Sequence, residues 1–378
     1  MNGTGMAVGL GRRWIRRLRL SLWCMVLLGC VMLGTGGCDR YPVRSKEITP
    51  QTGQLLVDRW FYSAHSFREG LAQVEPVFQS YGYINRQGKL VIPAEFELAQ
   101  DFSEGLAAVM KNGLYGFINP SGEMMIEPQF QRKPLPGPQP IKFVADYQFQ
   151  QGMASVPQND RWGYINRDGR WVILPQFDAA DGFVDDRAAV RVGDRWGIID
   201  RAGKWIVSPK FTDLLPFREG LAAAQDGEQW GFLDLTGKWV IPPKYRSAIS
   251  FSEGLAAVAT HEGWGYIDTT GAWRISPRPA RTMAFSDGIA VVESEKFGYI
   301  NKTGKWVIKP RFDGAMEFRL GLAAVRVDAD GQGFGGHWGF IDRQGRWAIR
   351  PVYDDVYSFS DGFARVCFGG DHCRFIYR

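Results

Sequence analysis

The sequence predicts an all-β fold, a tandem-repeat array of about nine three-strand meander units over residues 52–378. Three observations predict it. An aromatic–glycine pair recurs eight times, mostly at a 34-residue step; turn residues and proline follow each pair at fixed distances; and helix signals are nearly absent. Self-similarity at such a period is typical of repeat architectures, in which each unit buries its apolar face against its neighbours.

The aromatic–glycine pair marks the first predicted strand of each unit. The aromatic residue varies among Trp, Tyr and Phe, so the pattern requires an aromatic ring and not specifically an indole. Small glycine at a fixed strand position indicates the close approach of another backbone or ring. The glycines of the eight pairs are Gly82, Gly116, Gly163, Gly197, Gly231, Gly265, Gly298 and Gly339.

A hairpin turn follows this strand in every unit. The residue three after the paired glycine is Asn or Asp, and another glycine stands three further on, as in Asp234 and Gly237. Asx caps its own backbone at the first position of a turn, and glycine accepts positive φ at the fourth. These recurrent residues are therefore predicted to form turns, not a catalytic site.

Two further strands complete the predicted unit. One begins with a basic residue and usually Trp, as in "KWVIKP" from Lys305, and we expect proline to end it because proline cannot donate to a ladder. The other is a short apolar run such as "EGLAAA" from Glu219, and an extended connector precedes it. The repeated Glu before this run predicts a solvated row of carboxylates rather than an acid–base pair.

The chain enters and leaves the pattern in the middle of a unit. The segment from Thr52 aligns without a gap on the segment from Thr236, and "CRFIYR" stands where a ninth aromatic–glycine strand would lie. The two half-units sum to one repeat, so they could close a ring or cap an open solenoid. Because a propeller blade commonly uses about 40–45 residues, we favour an open β-superhelix, with a closed propeller-like ring as the alternative.

This pattern resembles the WG-repeat family, also called WG-containing or KWG repeats. The match covers almost everything after residue 50, although the copies at Gly82 and Gly116 carry Tyr in place of Trp. Insertions at 131–147 and 326–337 also depart from the family pattern. The resemblance implies a β-rich bacterial repeat module without an assigned common activity.

The N-terminus reads as an export signal over residues 1–37. Five Arg residues precede an apolar stretch that is too short to span a bilayer comfortably. The junction "TGGC" resembles the lipobox of bacterial lipoproteins, which predicts acylation at Cys38 and a tether over residues 38–51. Thr35 departs from that motif, so acylation of Cys30, or ordinary cleavage without acylation, remains an alternative.

The same junction predicts the location of the mature protein. We expect it to be exported and membrane-anchored on the periplasmic side of the cell envelope. Asp39 beside the cysteine resembles a retention signal and favours the inner membrane.

Charge argues against a nucleic-acid partner. The chain has 45 basic and 40 acidic residues, and the five Arg residues of the leader leave 40 of each sign once they are removed. A mature chain without net charge has no long-range field that would attract DNA or RNA.

Two cysteines remain outside the leader and the proposed lipid site. Cys367 and Cys373 flank Gly369 and Asp371 in a hairpin-turn sequence, and an oxidising compartment would pair them in a disulfide. A metal site with His372 is the alternative, although it lacks a fourth ligand nearby.

Binding is the predicted function, and catalysis is not, because no nucleophile elbow, HExxH helix or phosphate loop is present. We expect no cofactor and no metal; the acidic loop at Asp328 lacks the ligands of a calcium site. The first hypothesis is a scaffold for envelope proteins. The second is a module for cell-wall glycan or peptidoglycan, which would stack on a second row of indoles: Trp171, Trp205, Trp239, Trp273, Trp306 and Trp347.

Overall fold

The computed structural model describes residues 51–56, 58–131, 147–328, 336–369 and 372–378. The chain divides into two units, Met1–Ile48 and Thr49–Arg378, and every described residue belongs to the second. The leader, Cys30 and Cys38 lie outside the described residues, as does most of both insertions. Within the described ranges, no helix has the length and apolarity that crossing a bilayer requires.

The described residues form nine four-stranded antiparallel blades arranged as a β-propeller. The strands of a blade pair in chain order, and we name them inner, second, third and outer. Blades one to three comprise Ser63–Ala64, Leu71–Val77, Ser80–Asn85 and Leu90–Phe96; Leu98–Ala99, Ala107–Lys111, Leu114–Ile118 and Met124–Gln131; and Phe149–Gln150, Met153–Gln158, Arg161–Asn166 and Trp171–Phe177.

Blades four to six repeat this order. Their strands are Ala179–Ala180, Arg187–Val192, Arg195–Asp200 and Trp205–Phe211; Asp213–Leu214, Leu221–Asp226, Gln229–Asp234 and Trp239–Tyr245; and Ser247–Ala248, Ala256–Thr260, Gly263–Ile267 and Trp273–Arg278.

Blades seven and eight are also continuous in sequence, and the C-terminal segment gives three strands of blade nine. The strands are Arg281–Thr282, Ile289–Glu293, Phe297–Asn301 and Trp306–Phe312; Gly314–Ala315, Leu322–Val327, His337–Asp342 and Trp347–Tyr353; and Asp355–Val356, Phe363–Phe368 and His372–Tyr377.

The N-terminal segment supplies the outer strand of blade nine and closes the ring. Leu55 pairs with Ile376 and Phe61 with Cys373, both antiparallel. At the same junction the Ser360 hydroxyl donates to the Phe67 carbonyl over 2.8 Å, as serines do between other neighbouring blades. The two half-units therefore form one blade, which agrees with the ring-closing alternative and not with the favoured open array.

The favoured open solenoid of three-strand units is wrong. The predicted connector pairs with the strand that follows it, as when Leu214 pairs with Ala224, and so becomes a short fourth strand. Two residues are enough for this strand, which is why a 34-residue repeat can build a complete blade.

The outer strand also runs through its proline instead of ending there. In blade three the ladder continues beyond Pro175 to the pairing of Phe177 with Trp162. Proline is tolerated because this strand is the exposed edge of the blade, and a bulge in the ladder precedes it.

Close contact within the blade explains the glycine of the aromatic–glycine pair. A Cβ added to Gly231 would lie 2.5 Å from the Ile241 carbonyl oxygen and 2.7 Å from the Pro243 nitrogen. Both are backbone atoms of the bulged outer strand, so they cannot move aside as a flexible side chain would. Glycine is therefore a requirement of the scaffold at this position.

Apolar side chains pack mainly between blades. Trp196 of blade four is 4% exposed and shares a core cluster with Phe211 and with Leu214, Phe217 and others of blade five. The inner and second strands contribute small or branched residues to these interfaces, whereas the outer strands present alternate residues to solvent. Each blade is therefore stabilised chiefly by its two neighbours.

The Cys367–Cys373 disulfide is present and joins the second and third strands of blade nine. The alternative of a metal pair with His372 is wrong, because both sulfurs are bonded to each other. Cys373 also exchanges two backbone hydrogen bonds with Phe61 of the ring-closing strand, at 2.9 and 3.0 Å. The disulfide thus lies directly beside the closure.

Reduction of this disulfide is expected to loosen the closure without unfolding the ring. The six-residue separation gives a small chain-entropy effect, about 2 kcal/mol at most, and the inter-blade packing remains. Hydrogen exchange should quicken at Leu56 and Phe61 and stay unchanged in blades four and five. Uniform acceleration across all blades would contradict this expectation.

Candidate functional site

One face of the ring is formed by two sets of tight turns, and we call it the turn face. It carries the turns between inner and second strands, here named acidic turns, and the Asx turns between third and outer strands. In the acidic turn of blade five, Glu219 and Gly220 have φ of 53° and 77°, as a two-residue type I′ hairpin requires. The "EG" dipeptide was therefore a hairpin signal that the sequence interpretation missed.

The acidic turns are hydrogen-bonded from blade to blade. A side-chain oxygen of one turn accepts hydrogen bonds of 2.5 to 3.2 Å from backbone N–H groups of the next turn. Across the closure, the Asp361 carboxylate accepts a hydrogen bond from the Gly70 N–H. Leu320 lacks a carboxylate at the equivalent position of blade eight. The acceptors are Glu69, Glu104, Gln151, Glu219, Glu253, Asp287 and Asp361.

Basic residues of the Asx turns reinforce this ring of bonds. The Lys302 ammonium lies 3.1 Å from the Glu253 carboxylate of the preceding blade, and the Arg86 guanidinium lies 3.0 Å from Asp361 across the closure. The predicted row of repeated carboxylates is thus solvated, and its members are hydrogen-bonded or ion-paired to neighbouring blades. Its groups are used in joining the blades, which leaves little of this face for a ligand.

The Asx turns form as predicted. Asp268 accepts hydrogen bonds from the Thr270 hydroxyl and backbone N–H and from the Ala272 N–H, and Gly271 has φ of 84°. The Thr270 hydroxyl is the largest cause that lowers the pKa of Asp268 to about 2. Because the folded pKa is lowered, the stabilisation by this turn is present above the ordinary Asp pKa and is lost as the pH falls towards 2.

The opposite face carries the loops between second and third strands and the connectors from outer to inner strands. We call it the loop face. Gln131 ends an outer strand and Val327 ends a second strand, so both insertions leave the blades on this face. The repeats differ here in length and composition, whereas the turn face is nearly uniform.

The residue between an outer strand and the next inner strand, here called the connector residue, usually hydrogen-bonds to the blade that follows it. In seven blades the connector residue donates its N–H to a carbonyl of the next second strand; the donors are Tyr62, Glu97, Asp178, Thr212, Arg246, Asp313 and Asp354. In four blades its carboxylate also caps the loop, as when Asp178 accepts the Gly193 N–H over 2.7 Å.

The connector between blades six and seven departs from this arrangement. The outer strand of blade six ends one residue early, at Arg278, and Pro279 stands where blades three to five, seven and eight have Phe or Tyr. Two residues, Pro279 and Ala280, therefore separate it from the inner strand of blade seven, where one residue does so at the connections without an insertion. The Ala280 N–H donates to the Arg278 carbonyl over 2.7 Å and makes no bond to the second strand. A cavity of about 890 Å³ opens here, and we name it the 6/7 groove; its lining includes Trp264, Pro279, Ala280, Arg281, Glu293, Glu295 and Lys296.

The second row of indoles lies on the outer rim of the ring. Trp205, Trp273, Trp306 and Trp347 are 36 to 42% exposed, and Trp171 and Trp239 are partly buried. Five of these six indoles stand edge-on to an aromatic ring of the preceding blade at 5.6 to 6.2 Å, and the indole that makes no such contact among the described residues is Trp306. The row therefore packs between blades and keeps part of its surface in solvent.

The described residues contain no group of three or more His, Cys, Asp or Glu side chains placed to hold a metal ion. The raised pKa values of Tyr83, Tyr164 and Tyr299 follow from burial, and each hydroxyl donates to a carbonyl of the next blade. These tyrosines are structural.

The chain is similar to solved structures of low sequence identity. A structure described as the eukaryotic initiation factor is 10% identical over 80% of this chain and 94% of that chain, with a TM-score of 0.54. The computationally designed Ika8 protein is 12% identical over 86% of this chain and 100% of that one, with a TM-score of 0.45. AztD from Citrobacter koseri is 11% identical over 78% and 93%, with a TM-score of 0.37. No curated protein sequence gives a significant match.

The model of the WG containing repeat matches eight stretches of the sequence. They are residues 81–115, 115–132, 162–196, 196–229, 230–260, 264–296, 297–329 and 338–370. These stretches cover well over half of the chain and coincide with the recurrent third and outer strands. The chain therefore belongs to the family of proteins built from the WG containing repeat.

Proposed function

We propose that this protein is a non-enzymatic scaffold of the cell envelope that binds partner proteins on its loop face. The observation that carries the proposal is the difference between the two faces. Acidic turns such as Glu219 and Gly220 recur on the turn face and bind the neighbouring blade. Loops, insertions and the 6/7 groove make the loop face irregular, and irregular loops on a rigid support are where recognition residues concentrate.

The proposal includes attachment to the envelope membrane through acylated Cys38. The Cys367–Cys373 disulfide supports export, since disulfides persist in oxidising compartments. Acylation at Cys38 and the periplasmic location remain expectations from the sequence.

Metabolic labelling tests the anchor. An alkyne fatty acid is expected to label the wild-type chain and Cys30→Ala but not Cys38→Ala, because the cysteine at the cleavage junction is the acylated group. Gel fluorescence after coupling to an azide dye reports the label. Loss of labelling in Cys30→Ala, with labelling kept in Cys38→Ala, would place the anchor at Cys30.

Crosslinking in intact envelopes tests the scaffold. Purification of the crosslinked protein should recover specific envelope proteins by mass spectrometry, and the ring alone, residues 51–378, should bind them in solution. Washed peptidoglycan should retain neither form. Recovery of no protein above a non-crosslinked control would refute the scaffold.

Glycan binding is the second candidate, and the exposed surface of the rim indoles favours it. Trp273 and Trp347 have 42 and 41% of their surface in solvent and stand in the same strand position of blades six and eight, so one polymer along the rim would contact both. Retention on peptidoglycan that is lost in folded Trp273→Ala and Trp347→Ala variants would replace the scaffold by this function.

A further inference from the structure

We infer that the 6/7 groove binds an extended acidic segment of a partner protein, in the way that the other connectors bind their own blades. The inference rests on the proposed function and names the partner's chemistry. At the seven regular positions an extended residue supplies one N–H to the second strand, and in four of them a carboxylate caps the loop. The groove lies where this residue is displaced.

Backbone groups in the groove are placed to accept such a segment. Glu293 occupies the second-strand position whose carbonyl accepts the connector N–H in other blades, but the Ala280 N–H is turned back to Arg278. The loop Ser294–Lys296 has no capping carboxylate from Pro279 or Ala280. An extended peptide can replace both sets of bonds, as strands added to a sheet edge do.

The side chains of the groove favour an apolar contact next to a carboxylate. Trp264, Pro279 and Ala280 give an apolar wall. Arg281 has no acidic partner within 4 Å among the described residues, whereas the Lys296 ammonium is bound by Asp313. Trp and Arg are the residues that most often dominate protein interfaces.

Glu293 and Glu295 line the same groove and limit how the ligand approaches. Glu293 stands opposite Arg281 in the ladder, and Glu295 is exposed in the loop. The ligand carboxylate must therefore contact the Arg281 guanidinium itself, and removing the Glu295 charge should strengthen its binding. A purely basic segment would leave Arg281 unpaired.

The chain itself provides the probe. A fluorescein-labelled peptide with the sequence of residues 175–182, which contains the regular connector around Asp178, is titrated with the ring in a fluorescence anisotropy assay. We expect saturable binding. The same peptide with Asn in place of Asp178 should bind about fivefold more weakly, because a charge-assisted bond is lost.

Variants of the ring locate the site. Arg281→Gln should weaken peptide binding about fivefold and Glu295→Gln should strengthen it, whereas Lys210→Gln, an exposed cation on blade four, should change nothing. Trp264→Phe should still fold, since Phe297 occupies the same position in blade seven. It should nevertheless weaken peptide binding, because the apolar wall of the groove becomes smaller.

A block replacement provides the strictest control. Exchanging residues 279–282 for the sequence Phe-Asp-Gly-Ala of 312–315, which is the aligned segment of the next blade, should restore a regular connector, raise thermal stability and abolish peptide binding. Unchanged binding by this folded variant, absence of saturable binding up to about 1 mM, or displacement of the peptide by a chitin oligosaccharide would overturn the inference. If specific partners are still captured on the loop face, the proposed function stands without this site.

Discussion

Replacing Trp196 with Ala is expected to lower the free energy of unfolding by about 3–5 kcal/mol. The indole is 4% exposed and fills the interface between blades four and five, where its removal leaves a cavity that rigid neighbouring strands cannot close. Thermal and urea denaturation followed by circular dichroism measure the loss.

Trp205→Ala is the matched control for this change. Trp205 is 36% exposed on the outer rim of the same blade, so truncation removes less buried surface and should cost about 1–2 kcal/mol. Equal losses for both variants would contradict the assignment of the aromatic–glycine row to the core. Partner binding should persist in whatever fraction of Trp196→Ala remains folded.

Replacing Gly231 with Ala is expected to destabilise the ring by about 3 kcal/mol, although only one methyl group is added. The new Cβ would lie 2.5 Å from the Ile241 carbonyl oxygen, and relief requires the outer strand to shift. Denaturation by urea should show a lower midpoint with an unchanged slope.

Gly227→Asn is the control that distinguishes the steric clash at Gly231 from a requirement for glycine at any position of the blade. Gly227 lies in a loop of the same blade with φ of 62° and no atom within 4 Å of an added Cβ, and Asn tolerates that conformation. The variant should stay within about 1 kcal/mol of wild type. A larger loss at Gly227 than at Gly231 would refute the explanation.

Much of the fold could be predicted from the repeat alone. The third and outer strands and the Asx turns have signals that act locally, because Asp234 and Gly237 fix a turn whatever surrounds it. The match of the segment from Thr52 to an outer strand also indicated that the two half-units are complementary, although the open array was favoured.

The closed ring could not be predicted with the same means. The inner strand is only two residues long, as in Asp213–Leu214, and has no alternating pattern that would reveal it. Whether units stack into a helix or a ring depends on the angle between neighbouring blades. That angle is set by packing across each interface and leaves no residue-level signal in one repeat.

The candidate site was less predictable than the scaffold. The 6/7 groove arises where Pro279 replaces the aromatic residue that ends the outer strand in other blades, and the sequence alone did not show that the connector would lose its bond to the second strand there. The insertions at 131–147 and 326–337 were visible in the sequence, but they lie largely outside the described residues. The role of Glu69 and its equivalents in joining blades needed the positions of the next turns.

Site-specific photo-crosslinking tests the central claim that the loop face binds and the turn face holds the ring together. A photoreactive amino acid is placed singly at Asp194, Glu228 or Glu295 on the loop face and at Ala202 or Thr269 on the turn face, all exposed. We predict that loop-face positions crosslink the same envelope protein in living cells and that turn-face positions do not. Crosslinks from Ala202 and Thr269, with none from the loop face, would contradict the account.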